Sequence, residues 1–135
     1  MKKLLSANYS AGAFNVAMLL LRLGIGILMM HHGYQKLTHF AEIQPRFMNF
    51  LGMGTTASLS LVVFAEFFCS LFLVIGLFTR LATIPLIITM CVIIFKVFGG
   101  DVFDKAEIPT IYLAGFIVLL FVGPGRFSVD RLMGK

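Results

Sequence analysis

LRLGIGILMMHHGYQKL, residues 21–37, reads as an apolar helix that nevertheless carries Arg22, His31, His32 and Lys36. At 100° per residue, Arg22, Gly26, Met29, Gly33 and Lys36 fall within about 40° of one line, and His32 lies about 80° off it. His31 falls on the reverse face. One side of the helix is therefore small and polar, and Gly26 and Gly33 let another helix approach it closely.

The rest of the chain sets the solvent. With 59% hydrophobic and 13% charged residues and a mean hydropathy of +0.99, 135 residues hold more apolar surface than one soluble core buries. The excess predicts lipid contact and one integral membrane domain over residues 1–135, without linker or repeat. Four apolar stretches, 13–37, 56–77, 81–98 and 108–122, predict an all-α, four-helix transmembrane bundle. The fourth is short; a D-x-x-E pattern at Asp104–Glu107 offers it an earlier start, against which Pro109 weighs. Glycines and prolines mark the breaks at residues 76–82, 99–101 and 123–125. Ser128 with Asp130 predicts a cap on a short terminal helix. In residues 39–52, Phe40, Ile43, Phe47, Phe50 and Leu51 alternate with polar residues, which predicts a short interfacial helix in the first outer loop, broken or started at Pro45; the alternative is a hydrophobic loop packed on the bundle mouth.

The first stretch is too long for a cleaved signal peptide, contains Arg22 and lacks a small-x-small site. Lys2, Lys3, Arg80, Arg126, Arg131 and Lys135 on one side, against Lys36, Arg46, Lys96 and Lys105 on the other, place both termini in the cytoplasm. The same asymmetry accounts for the net charge of +5, and no basic patch with interleaved aromatics points to nucleic acid. Cys69 and Cys91 have no metal-ligand or redox spacing and face different ways, so they read as small hydrophobes and not as a disulfide.

Ionisable groups inside a membrane are costly and need partners. Glu66 shares a face with Cys69, Ser70 and Leu73, and Lys96 shares one with Pro85, Thr89 and Val92. By rise per residue, Arg22 and Glu66 sit near the midplane about one turn apart, with His32 and Lys96 about 10 Å further out. This predicts an Arg22–Glu66 ion pair, with His32 and Lys96 above it lining an outward-opening polar cavity and Lys36 at its surface. Two readings stay open: these groups pin the bundle's register and snorkel, or they form a small-molecule site.

The segments RLGIG…HHGYQKL, AEFFCSLFLVIGLFTRLA and LLFVGPGRFSVDRL, in this order, resemble the DoxX family of small four-helix bacterial membrane proteins. Its pattern is carried by His32, Gly33 and Lys36, by Glu66, by the G-L-F-T-R turn and by the terminal GPGR-F-S-x-D. The resemblance implies an inner-membrane protein linked to respiratory or sulfur redox chemistry. Founding members are small subunits of a thiosulfate:quinone oxidoreductase, others associate with thiol and oxidative-stress enzymes, and remote animal relatives are membrane chaperones for receptors.

Two functions follow. As an accessory redox subunit, the chain would hold a quinone, with Glu66 and His32 in the catalytic roles and Arg22, Lys36, Thr89 and Lys96 as ligand-binding residues. It has no nucleotide fingerprint, iron–sulfur spacing or CxxC, and His31 and His32 diverge too far for one haem, so a soluble or membrane redox partner must supply electrons. As a non-catalytic scaffold or chaperone, its buried polar groups hold the bundle or grip a partner's helix. A transporter is a weaker third reading, because four helices without inverted repeats give little of that architecture unless the chain forms a homo-oligomer.

Overall fold

The computed structural model describes residues 4–134; Lys2, Lys3 and Lys135, which contribute to the charge asymmetry, lie outside the described residues. The described chain is helical, without strands. The long elements are α1 (Ala11–Thr38), α3 (Thr55–Ile75), α4 (Thr79–Val97) and α5 (Glu107–Val122). A single turn, α2 (Phe40–Ile43), follows α1, and a short α6 (Val129–Leu132) ends the described chain. Three of them, α1, α3 and α4, are long and apolar enough to cross a membrane, and α5 is an apolar helix of 16 residues. Helix α1 packs on α3 and α5, and α4 likewise packs on α3 and α5.

The predicted seam of α1 is the buried one. Met18, Arg22, Gly26, Met29 and Gly33 are its buried residues, and Lys36 continues the line half-buried. At Gly33 the backbones of α1 and α3 touch: a Cβ there would lie 2.5 Å from the Phe67 nitrogen and 2.6 Å from the Glu66 carbonyl carbon. Two turns earlier, a Cβ on Gly26 would meet Val74 at 3.0 Å. The pairing runs antiparallel, Gly33 opposite Glu66–Phe67, Gly26 opposite Ser70–Val74 and Arg22 beside Gly76. Arg22 is thus eleven residues, or about 16 Å, from the level of Glu66. The two were expected within one turn. Helix α1 projects past the end of α3 instead of sharing its midpoint, so helix centres did not mark a common depth.

Two further differences come from non-α geometry. Phe64–Cys69 in α3 and Ile93–Val97 at the end of α4 are π-helical. A π turn closes i to i+5 and is wider, so residues within it fall behind a 100° count. Lys96, expected in line with Thr89, is exposed, and Ile94 is buried at 1% exposure. The first connection is not one helix. After α2 it makes two single 3₁₀ turns, Gln44–Arg46 with Pro45 near its start and Phe50–Gly52, where Leu51 takes φ 53°. Proline lacks the N–H that would extend the helix, and the left-handed Leu51 ends the next turn.

The opposite end is held by a polar latch. Helix α3 stops at Gly76 (φ 76°), where Gly76 N–H donates to the Leu73 carbonyl and Leu77 N–H to the Phe72 carbonyl, a glycine C-terminal motif. Ser128 caps α6 by accepting from the Arg131 N–H, as expected. Asp130 acts elsewhere: its carboxylate accepts from the Phe78 N–H at 2.7 Å and the Thr79 N–H at 2.9 Å, which satisfies the start of α4. The D-x-x-E pattern does not open α5, whose flanking residue Ala106 makes no side-chain cap, and Pro109 sits harmlessly in its first turn.

Replacing Gly33 by alanine should force α1 off α3 and cost about 1–3 kcal/mol, the usual penalty of overpacking. Gly24→Ala, whose Cβ meets nothing within 4 Å, should leave the melting temperature level or slightly raised, since alanine is the better helix former. Thermal unfolding of both variants in one detergent checks the contact, and equal melting temperatures would contradict it.

Candidate functional site

Glu66 lies in the π segment of α3 at 1% exposure, directly across from Gly33. One turn beyond Gly33, Lys36 reaches back, and its Nζ donates to Glu66 Oε1 at 2.6 Å. The side chains are 27% and 2% exposed, so the pair joins an accessible ammonium to an enclosed carboxylate. Glu66 Oε2 has no hydrogen-bond partner among the described residues. A buried acceptor left without a donor is destabilising by about 1–3 kcal/mol, and more when charged.

This pair is set in the wall of a cavity of about 680 Å³. Helix α3 contributes Ser58, Leu61, Phe64, Ala65 and Glu66, and α4 contributes Pro85, Ile88, Thr89, Val92 and Ile93. The first connection covers one end with Arg46, Phe47, Met48 and Phe50. That cover is stitched to the start of α3: Gln44 donates to Thr55 Oγ1 at 2.6 Å, Phe50 N–H to Ser58 Oγ at 2.9 Å and Gly54 N–H to Asn49 Oδ1 at 2.7 Å. Leu61, Phe64 and Ile88 line the cavity and are also about half exposed on the outer surface of the helices. The space is apolar, communicates with the hydrocarbon-facing side between α3 and α4, and holds one ion pair at its inner wall.

Among the six residues expected to form a site, Glu66, Lys36 and Thr89 line this cavity. The other three do not. Arg22 donates to the Pro124 and Phe127 carbonyls, each at 2.6 Å, inside the terminal latch and not to Glu66. Its guanidinium matches two backbone carbonyls there, and the stagger of α1 removes it from the carboxylate. His32 is exposed and sets its ring edge-on to Tyr112 of α5, 6.2 Å between centroids, because locking Gly33 against α3 turns the preceding residue toward α5. Lys96 is carried outward by the π turn at the end of α4.

Sequence reasoning did not assign the cover residues Arg46, Phe47, Met48 and Phe50 to the site; the apolar pattern of Phe47 and Phe50 was visible, and was read as a surface helix or a loop packed on the bundle mouth and not as a cavity wall. Cys69 is buried, Cys91 is partly so, and both are free thiols.

Lys36→Met should leave the enclosed carboxylate without its counter-ion and destabilise the protein by about 3 kcal/mol, the low end for a broken buried pair because the lysine side is partly exposed. Adding Glu66→Met to that variant should restore most of the loss. Chemical or thermal unfolding of the single and double variants measures the difference; an additive double variant would mean that the two groups do not support each other.

With this geometry in place, similarity to other proteins becomes informative. The chain is 29% identical over 130 residues to the uncharacterized membrane protein Rv3486 of Mycobacterium tuberculosis, covering 85% of this chain and 80% of that protein. It is 29% identical over 125 residues to the inner membrane protein YqjF of Escherichia coli, covering 90% of this chain and 95% of that protein. No solved structure matches it significantly. Residues 17–99, which run from the buried seam of α1 through α3 to the end of α4, match the DoxX family model. The match covers more than half of the sequence, including Lys36, Glu66 and Thr89, and the chain belongs to the DoxX family.

Proposed function

We propose that this DoxX-family membrane protein is the ligand-holding accessory subunit of a redox system, and that its cavity takes the headgroup of a quinone. The observation that carries the proposal is the Lys36–Glu66 pair on the wall of a largely apolar cavity of about 680 Å³. That volume falls within the range of about 300–1,000 Å³ common to small-molecule sites, which pair apolar walls with a few placed polar groups. Phe47, Phe50 and Phe64 offer flat apolar surface to a ring, and the opening at Leu61, Phe64 and Ile88 offers a prenyl tail a way into lipid. A bound quinone supplies two-electron, two-proton chemistry. The chain itself orients the ring, excludes water with the Arg46–Phe50 cover, and holds a proton acceptor at Glu66 beside the donor Lys36. A soluble or membrane partner supplies the electrons.

The same reading places four crossings in the inner membrane with both termini in the cytoplasm. Helix α5, about 24 Å long by its rise, completes the bundle by lying between α1 and α4. The latch with Arg80, Arg126 and Arg131 then lies on the cytoplasmic side, and the cavity opens toward the outer half of the bilayer. Fusing alkaline phosphatase to the C-terminus should give an inactive reporter and fusing green fluorescent protein a bright one; the reverse pattern would invert the topology.

Decylubiquinone titrated into the purified protein in nanodiscs should bind saturably, and Lys36→Met, which removes the ammonium donor from the cavity wall, should weaken it at least tenfold. Arg22→Lys, in the distant latch, should not change the affinity of the protein that folds. Absence of saturable binding, together with a membrane partner that co-purifies in stable stoichiometry, would replace this reading with that of a non-catalytic scaffold.

A further inference from the structure

The hydrogen-bonding inventory of the cavity wall has a direction. Thr89 Oγ1 donates its proton to the Pro85 carbonyl at 2.8 Å, and Ser58 Oγ donates its own to the Gly54 carbonyl at 2.6 Å. Thr89 Oγ1 therefore faces a ligand only with lone pairs, and Ser58 Oγ, which also accepts from the Phe50 N–H, has no proton to offer. Glu66 accepts from Lys36 through Oε1, and its buried Oε2 is without a partner among the described residues. The donors on the wall, Lys36 and Arg46, are the polar residues with exposed surface, and one Lys36 proton is already given to Glu66. The enclosed part of the wall is rich in acceptors and poor in donors.

We infer that the occupant of this cavity is a hydroxyl donor: an amphiphile with a phenolic or quinol O–H directed at Glu66, bound in preference to the same molecule in its carbonyl or ether form. For a quinone this refines the function proposed above and rests on it; for a phenol it stands by itself. A carbonyl placed against the carboxylate meets lone pairs with lone pairs and leaves Oε2 without a donor. A hydroxyl supplies the missing proton in a charge-assisted bond. Sites built to bond a hydroxyl reject analogues that lack it far more strongly than apolar pockets reject a change in size. If the reduced form of a quinone binds ten times more tightly than the oxidised form, the two-electron potential of the bound couple rises by about 30 mV.

The test uses two probe pairs on the intact protein in nanodiscs under argon: decylubiquinol against decylubiquinone, and 4-nonylphenol against 4-nonylanisole. Each hydroxyl form should bind at least tenfold more tightly than its partner. Glu66→Gln, whose amide both donates and accepts, should collapse the preference, and the wild-type phenol–anisole ratio keeps the test valid if that variant fails to fold. Preference for phenol over anisole with no binding of either quinone form would uphold the donor rule and remove the quinone reading. Equal affinities within each pair, tighter binding of the oxidised quinone, or no binding of any probe would overturn the inference.

Discussion

The contact on which the rest depends is the backbone approach of α1 to α3 at Gly33. No other residue type fits there, since any Cβ would stand 2.5–2.6 Å from main-chain atoms of Glu66 and Phe67. In a bilayer, where burial of apolar surface against lipid gives helices little reason to associate, such close van der Waals packing carries much of the association. It also sets the stagger. Once Gly33 sits opposite Glu66, Lys36 comes within 2.6 Å of the carboxylate, and Arg22 is displaced to the far end, next to Gly76.

That stagger separates the polar groups into two centres with different physical tasks. At one end, Arg22 and Asp130 bind main-chain groups: the guanidinium neutralises the carbonyl ends of the 124–127 turn, and the carboxylate takes the free N–H groups at the start of α4. These are structural satisfactions of backbone polarity, which a membrane interior makes compulsory. At the other end, Lys36 and Glu66 bind each other and leave one oxygen over, inside a space lined by aromatic and aliphatic side chains. Buried polar atoms without a partner among the described residues occur at both ends, Arg22 Nε and Thr79 Oγ1 at the first and Glu66 Oε2 at the second, but it is the second that borders the cavity of about 680 Å³.

The π turns refine this division. The one in α3 carries Glu66, and the one in α4 swings Lys96 out and Ile94 in, which keeps a second cation away from the pair. Helical irregularities of this kind recur at functional sites because they re-aim side chains that a regular helix would place elsewhere. Glu66 retains Cys69, Ser70 and Leu73 as buried neighbours on its face. Beyond Val92, α4 loses its regular phase.

The membrane class, the apolar helices, the buried seam from Arg22 to Gly33 and the burial of Glu66 were all legible in the residues, because each follows from composition or from a local repeat of 3.6. The terminal cap at Ser128 was legible for the same reason. What could not be read was which charge meets which. The partner of Glu66 depends on the axial offset between α1 and α3, and that offset is decided by one glycine's fit against another helix's main chain. The exposure of Lys96 and the single-turn character of the first connection depend on a π turn, on Pro45 and on the left-handed Leu51, where local geometry departs from the period on which sequence reading relies. The sequence determined the faces of the helices, because a face is set by spacing along one strand of chain. Only the tertiary structure decided the pairs, because a pair is set by the depth at which two helices stop sliding past each other.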